Sequence, residues 1–329
     1  MKVAVVGATG LVGRELLKVL DQSVLPMTEL TVVASKRSAG TAITAAGRTL
    51  EVVDVRSDWH RDTDVVFFVT SSEISRLEIP LLKGKVPIVI DNSSAFRMHP
   101  DVPLVVPQVN PEAAFNHNGL IANPNCSAIQ LVVAVFPIHK LSPLKKIIVS
   151  TYQAASGAGK KYVDRFLLDS RGTSPDATSL AFNIIPSIDV ILEDGFSKEE
   201  EKIMLETRKI LSAEVDHISA TAVRVPVVNV HCESVYLETE SELDLDKVRK
   251  SLSEAPGVRF VEDPLKVVTP REVSGFDDVF VSRLRRDRDR KNGLHMWVVA
   301  DNLRKGAATN AVEIAALFSE RVDTNPVSH

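Results

Sequence analysis

Apolar and polar positions change period along the chain, and each change marks an element. Residues 2–6, Lys-Val-Ala-Val-Val, are an unbroken apolar run that stops at Gly7. From Gly10 onward Val12, Leu16, Val19 and Leu20 recur at i, i+4, i+7 and i+8, which predicts a helix with one stripe packed on a sheet. A second strand is predicted over 30–34. The runs at 65–69 and 86–90 are continuous and apolar, as parallel strands buried on two faces are. They end in Thr70-Ser71-Ser72 and Asp91-Asn92-Ser93-Ser94, and ligands of open α/β sheets bind beyond such strand ends. Gly119 to Ala122 reads as a strand end. Ala128 to Val135 is apolar enough for a core helix ending near Pro137 to Leu141.

Beyond that helix the pattern shifts to longer alternating strands. Lys145, Ile147, Val149, Thr151 and Gln153 share one strand face, and further strands are expected over 222–227 and 229–237. Ser197-Lys198-Glu199-Glu200 is a capping-box sequence opening a helix to about Leu211, in which Glu199 and Lys202 share a face expected to be a solvated salt bridge. Ala311, Ile314, Ala315 and Phe318 make a last amphipathic helix, about 306–321, expected to return to the first domain. The shift places a domain boundary at Cys126, with domains over 1–126 and 127–305. A chain of 329 residues accommodates two.

Composition narrows the class. No run approaches the roughly 18 apolar residues of a membrane span, and Met1-Lys2-Val3 leads straight into a strand, so a soluble cytoplasmic protein is expected. Two cysteines, Cys126 and Cys232, exclude a disulfide scaffold and leave too few thiols for a zinc cluster. A net charge of −4 gives no reason to expect nucleic acid. The basic cluster Arg283 to Lys291 is interleaved with aspartates and followed by Asn292-Gly293, and is read as a solvated loop closed by a hairpin turn.

Two stretches carry candidate chemistry. Gly7-Ala8-Thr9-Gly10-Leu11-Val12-Gly13 joins a strand to a helix with G-x-x-G-x-x-G spacing; it suits either a pyrophosphate against a helix N-terminus or a tight structural turn. At the end of the second strand, Ser35-Lys36-Arg37-Ser38 lacks the acid that would bind a ribose diol. Its cation and hydroxyls suit a 2′-phosphate, hence NADP. In Asn123-Pro124-Asn125-Cys126-Ser127, Asn125 and Ser127 are both N-cap types, so Cys126 falls in the first turn, where amides and the helix dipole favour a thiolate. The alternative for Cys126 is an inert buried thiol. A thiolate with a nicotinamide suits an enzyme that holds an acyl group as a thioester for reduction. Such an enzyme needs a proton carrier, for which His231 is a candidate, and cations for an anionic substrate. Arg224, within an apolar strand, has to meet a carboxylate of the protein or of a ligand.

These residues together resemble the aspartate-β-semialdehyde dehydrogenase family. The resemblance runs through Gly7-Ala8-Thr9-Gly10, Asn92-Ser93-Ser94-Ala95-Phe96-Arg97, Pro124-Asn125-Cys126-Ser127, Ser150-Thr151-Tyr152-Gln153, Ser156-Gly157-Ala158-Gly159, Arg224 to His231 and Gly306-Ala307-Ala308. It implies a Rossmann-type domain followed by an α+β catalytic and dimerisation domain with a mixed sheet. It further implies that Cys126 is the nucleophile, His231 the acid/base, and Gln153 the substrate-orienting glutamine. Arg97, Lys202 and Asn125 would face phosphate, Arg224 the substrate carboxylate and Glu199 the substrate ammonium. The expected cofactor-binding set is Gly7, Thr9, Gly10, Leu11, Val12, Ser35, Arg37, Ser38, Thr70, Ser156, Gly157 and Asn302, and the resemblance implies no metal.

The implied reaction is the NADPH-dependent reductive dephosphorylation of β-aspartyl phosphate to aspartate semialdehyde through a Cys126 thioester, in a homodimer serving lysine, threonine, methionine and diaminopimelate synthesis. Rival readings are an N-acetylglutamyl-phosphate reductase, whose substrate has no free ammonium for Glu199, and an acyl-CoA reductase, which would leave Arg97 and Lys202 idle. A non-catalytic NADP-binding protein would need only the first domain.

Overall fold

Spatial contacts divide the protein into two compact units. One comprises Met1–Pro124 and the chain from Ala307 onward, and the other Asn125–Gly306. The computed structural model describes residues 1–45, 47–172, 176–212 and 215–322.

The first unit is built on a six-stranded sheet. In chain order its elements are β1 (Lys2–Val6), α1 (Leu11–Gln22), β2 (Glu29–Ala34), β3 (Ala42–Ala45), β4 (Arg48–Glu51), β5 (Val53–Asp54), β6 (Val65–Phe68), α2 (Ser72–Glu78), β7 (Ile88–Asp91) and β8 (Leu120–Ala122). The sheet order is β5-β2-β1-β6-β7-β8, and every pairing is parallel. β3 and β4 form a separate antiparallel pair. Alternate residues of the continuous apolar strands serve two cores. Val3, Val5, Val65, Phe67 and Ile90 pack with Leu16 and Leu20 of α1, while Ala4, Val6, Val66, Phe68 and Val89 pack with Ile79 and Leu82. The strand expected from Val86 begins at Ile88, because Pro87 has no N–H for the ladder. The order reverses between β1 and β6, so the loops beyond these strands sit at a topological switch point.

The second unit contains α3 (Cys126–His139), β9 (Leu144–Gln153), α4 (Lys160–Asp169), α5 (Lys198–Leu211), β10 (His217–Arg224), β11 (His231–Thr239), α6 (Leu245–Ser253), β12 (Val258–Phe260), α7 (Pro270–Val273), β13 (Val279–Arg286) and β14 (Gly293–Ala300). The mixed sheet runs β10-β9-β11-β14-β13-β12. α3 is apolar on all sides, with Ser127 to Val135 buried, because it lies between the sheet and helices α5 and α6. The opposite sheet face is more open, with Ile148 and Tyr152 exposed and Trp297 half-buried beside Tyr152.

Two sequence expectations are corrected here. The strand placed over 222–227 begins at His217 and ends at Arg224; beyond it Pro226 opens a loop that returns at His231. The basic cluster is not wholly a loop: Arg283 to Arg286 belong to β13, which is bulged between Ser282 and Arg285. Gly293 already lies in β14, so the connecting turn spans Asp287 to Asn292. The closing helix α8 (Asn310–Val322) follows a π-helical turn over Arg304–Thr309. Its Ala311, Ile314 and Ala315 join the α1 side of the first unit's core.

Candidate active site

In the second unit, α3 starts at Cys126 itself, two residues before the apolar run that marks it in sequence. Asn125 is the N-cap, and its Oδ1 accepts from the Ser127 and Ala128 amides at 2.9 and 3.3 Å. Cys126 is therefore the first helical residue, at the positive end of the dipole. Gly306 lies against it, since a Cβ there would fall 2.7 Å from the Cys126 Cβ. No sequence signal beyond the Gly306-Ala307-Ala308 motif pointed to that contact.

Helix α5 brings a buried polar set beneath the same helix start. Glu199 Oε1 accepts from Asn125 Nδ2 at 2.9 Å and from Gln153 Nε2 at 3.1 Å, and Glu199 Oε2 pairs with Lys202 at 3.4 Å. Gln153 also donates to Ser127 Oγ at 2.6 Å, and Glu206 accepts the Asn125 amide at 2.6 Å. The solvated salt-bridge face expected for Glu199 and Lys202 is thus corrected: Glu199 is buried, and Lys202 is half-buried and also bonded to Asp189 at 2.7 Å. Burial works against the Lys202 charge, but Glu199 and Asp189 outweigh it and hold its pKa above the ordinary lysine value. Glu206 went unnoticed in the sequence although it lies seven residues, two turns, beyond Glu199.

Arg224 closes β10. Its Nη1 donates to the Ala154 carbonyl at 2.8 Å and its guanidinium lies 5.9 Å from the Tyr162 ring centroid. Of the two partners expected for Arg224, a carboxylate of the protein or of a ligand, the first is absent: no carboxylate among the described residues stands within ion-pair distance of it. Burial lowers the Arg224 pKa, partly offset by the charges of Cys126 and Glu199.

His231 opens β11 and is fully buried. Its Nδ1 accepts the Ala154 N–H at 3.0 Å, which assigns the ring proton to Nε2, an atom without a protein partner. Burial, and then the Arg224 charge, pull its pKa down to about 3, so the ring is neutral. Gly157 runs beside both groups: a Cβ there would lie 3.0 Å from Arg224 Nη1 and 3.2 Å from His231 Nε2. Ser156 and Asn302 are bonded to each other at 2.9 Å, and Asn302 Oδ1 accepts the Val230 N–H, so they brace the chain entering His231.

The first unit gathers the remaining candidates. Gly7 has φ +94, and a Cβ on it would lie 2.5 Å from the Val69 carbonyl oxygen; one on Gly13 would lie 2.3 Å from the Gly7 oxygen. No side chain caps the first turn of α1, whose N-cap is Gly10. That cradle fits a pyrophosphate better than it fits a simple turn, for which only Gly7 would be required. Thr9, Leu11 and Val12 belong to this turn. Ser35, Arg37 and Ser38 follow β2, Thr70 follows β6, and all three loops occupy one edge of the sheet. Arg97 is buried, donating through Nε to the Asn123 carbonyl at 2.9 Å and through Nη2 to the Asn92 carbonyl at 2.7 Å.

Known proteins bear out the family. Residues 2–117 match the NAD binding domain of semialdehyde dehydrogenases, and residues 135–305 match their dimerisation domain. Aspartate-semialdehyde dehydrogenase of Aquifex aeolicus is 46% identical, over 96% of this chain and 97% of its own. That of Bacillus subtilis is 43% identical, over 96% of both. The crystal structure of aspartate semialdehyde dehydrogenase II from Vibrio cholerae superposes with a TM-score of 0.92 at 39% identity, covering 97% of this chain and 98% of that one. The chain belongs to the aspartate-semialdehyde dehydrogenase family.

Proposed function

We propose that this protein converts β-aspartyl phosphate and NADPH to aspartate semialdehyde, phosphate and NADP, in the synthesis of aspartate-derived amino acids, and that it works as a homodimer. The observation that carries the reading is the combination in one unit of three groups. These are Cys126 at a helix start, a neutral His231 whose Nε2 is unpartnered, and a buried Arg224 guanidinium without a carboxylate.

Cys126 Sγ attacks the acyl carbon, and the C–O bond to phosphate breaks to leave a thioester. Arg97, Lys202 and Asn125 are assigned to the departing phosphate, so Lys202 exchanges part of its contact with Asp189 for the ligand. Gly7 to Val12 with Ser35, Arg37, Ser38 and Thr70 would hold NADPH, whose chemistry there would be to supply the hydride that reduces the thioester. His231, a neutral imidazole, donates a hydrogen bond from Nε2 to the oxygen as charge grows there and keeps its proton as the carbonyl re-forms and Cys126 leaves as thiolate. Arg224 clamps the α-carboxylate, Glu199 receives the ammonium, and Gln153, tied to Ser127 and Glu199, orients the carbonyl. Ser156, Gly157 and Asn302 complete the cofactor assignments.

The homodimer reading rests on the dimerisation-domain match and on the open sheet face with Ile148, Tyr152 and Trp297, an apolar surface of the kind that self-complementary interfaces bury. The relatives' names favour an unacetylated aspartyl substrate over its rivals.

The test is NADP reduction with aspartate semialdehyde plus phosphate, in parallel with N-acetylglutamate semialdehyde. Turnover of the first alone is expected, abolished in Cys126→Ala and largely retained in Cys232→Ala, because burial pushes the Cys232 thiol up to about 12. Acylation found on Cys232 would overturn the mechanism.

A further inference from the structure

Immediately before His231 the backbone changes hand. Val230 has φ +78, and of the described non-glycine residues with a left-handed φ it alone is buried and it alone is β-branched; Asp62, Phe182, Asp189, Ser212 and Arg283 are exposed. A side chain branched at Cβ crowds its own backbone at that φ, so the conformation is costly and lasts only where the surroundings impose it. The position is also the last before β11, whose ladder begins with His231 opposite Ala300. The ladder holds His231 on its C-terminal side, and the entering chain at Val230 holds it on the other.

Three sets of contacts impose the conformation. Asn302 Oδ1 accepts the Val230 N–H at 2.9 Å, and Asn302 Nδ2 donates to Ser156 Oγ at 2.9 Å. Asn229 Nδ2 donates to Asp301 Oδ2 at 2.8 Å, so Asn229 and Val230 are each held by one of the two residues that follow β14. The Val230 side chain is fully buried and packs with Cys232, Val268, Val273, Phe280 and Val299. Beyond the turn, His231 Nδ1 accepts the Ala154 N–H at 3.0 Å, and Arg224 Nη1 donates to the carbonyl of that same residue at 2.8 Å. A rotation of the backbone at Val230 turns the imidazole away from Ala154, the residue that also fixes the guanidinium.

We propose that Val230 is a positioning residue for the reaction: held in a left-handed conformation and locked at its N–H by Asn302, it aims the Nε2–H of His231 at the oxygen on which charge develops. A misplacement of about 1 Å in such geometry is enough to cost on the order of 100-fold in rate. At an ordinary core position alanine replaces valine with less harm than glycine does. Where φ is left-handed that order inverts, because glycine takes the conformation freely and alanine does not. The inference rests on the role of His231 given above.

The experiment measures kcat, the KM values for aspartate semialdehyde and phosphate, and the melting temperature of Val230→Gly, Val230→Ala, Asn302→Ala and Asn302→Ala on the Val230→Gly background, with kinetics run well below every melting point. Val230→Gly is expected to keep kcat within about threefold of wild type. Val230→Ala loses the packing that imposes the conformation but not its cost, and is expected to lower kcat about 10-fold or more, with both KM values within about threefold, and to melt no higher than the glycine variant. Asn302→Ala is expected to lower kcat about 10- to 100-fold on the valine background and only about threefold on the glycine background, because a residue that takes this φ freely needs no lock. Folding on the glycine background alone carries the same meaning. Val230→Ala at least as active as Val230→Gly overturns the proposal. So does an equal loss from Asn302→Ala on both backgrounds, which is what a contact to the coenzyme alone would give. Melting temperatures that fall with kcat intact in every variant show a merely structural role and overturn it too. Wild-type enzyme inert toward aspartate semialdehyde would instead overturn the functional reading, so the two failures are distinguishable.

Discussion

At the scale of single residues, the proposed mechanism gives two arginines of equal charge different jobs. Arg224 is assigned to a carboxylate present in substrate, thioester and product, Arg97 to a phosphate that only departs or enters. Lysine cannot reproduce a bidentate fork, so Arg224→Lys should cost on the order of 2–4 kcal/mol of transition-state stabilisation. In the oxidative direction, Arg97→Ala should raise the phosphate KM above all, and Arg224→Ala the aspartate semialdehyde KM. Parallel increases in both constants for both variants would show that the roles are not separate. His231 yields a second expectation. Its folded pKa of about 3 lies below its unfolded value near 6.5, so between those values the unfolded chain binds more protons and acid destabilises the fold. Above pH 6.5 this contribution is complete, and it is lost progressively down to about 3. Denaturant titrations of wild type and His231→Asn over that range should show a flatter pH dependence in the variant. Identical slopes would mean that the imidazole is not held neutral by burial.

At the scale of elements, helix α5 shows what a sequence discloses about a site and what it withholds. Ser197 and Glu200 are legible as a capping box because the bonds are local, and both form: Ser197 N–H to Glu200 Oε2 at 2.6 Å and Glu200 N–H to Ser197 Oγ at 3.3 Å. Glu200 Oε1 also accepts the Ala222 amide at 2.8 Å, joining α5 to β10 near Arg224, a long-range bond that no local pattern encodes. Ser197→Ala should accordingly cost about 1 kcal/mol. Glu200→Ala leaves two buried amides without an acceptor and should cost roughly 2–4 kcal/mol by chemical denaturation. Equal losses would mean that the link to β10 carries no energy.

The same distinction accounts for the other readings. The first sheet was legible because burial on both faces makes its strands continuous apolar runs. The break after Arg224 was not, because residues 225–230 are as apolar as a strand and leave it only to turn back into His231. The solvated face expected of Glu199 and Lys202 failed because spacing places two side chains together without saying whether water reaches them. Arg224 was expected to meet a carboxylate, and a buried guanidinium held by one carbonyl is the sort of local inconsistency that marks a binding site.

At the scale of the whole molecule, the first unit is made of two chain segments and the second of one continuous segment between them. The ends of each unit are held side by side within that unit. In the first, Asn123 Nδ2 donates to the Ala307 carbonyl at 3.1 Å and Asn310 Nδ2 to Asn123 Oδ1 at 2.6 Å. In the second, Gly306 touches Cys126. A sequence with neighbouring ends is an insertion that its host can lose at little entropic cost, since the gap left behind is closed by a very short loop. The chain from Pro124 rejoined to Ala307 through a few Gly-Ser residues should therefore fold as a cooperative nucleotide-binding module. Its melting temperature should rise with added NADPH, and an excised protein without a cooperative transition would refute this. The same junctions make the catalytic segment a cassette: 125–306 could be exchanged for that of a relative without rebuilding the parallel sheet, and substrate range would travel with the insert while coenzyme preference stayed with the host.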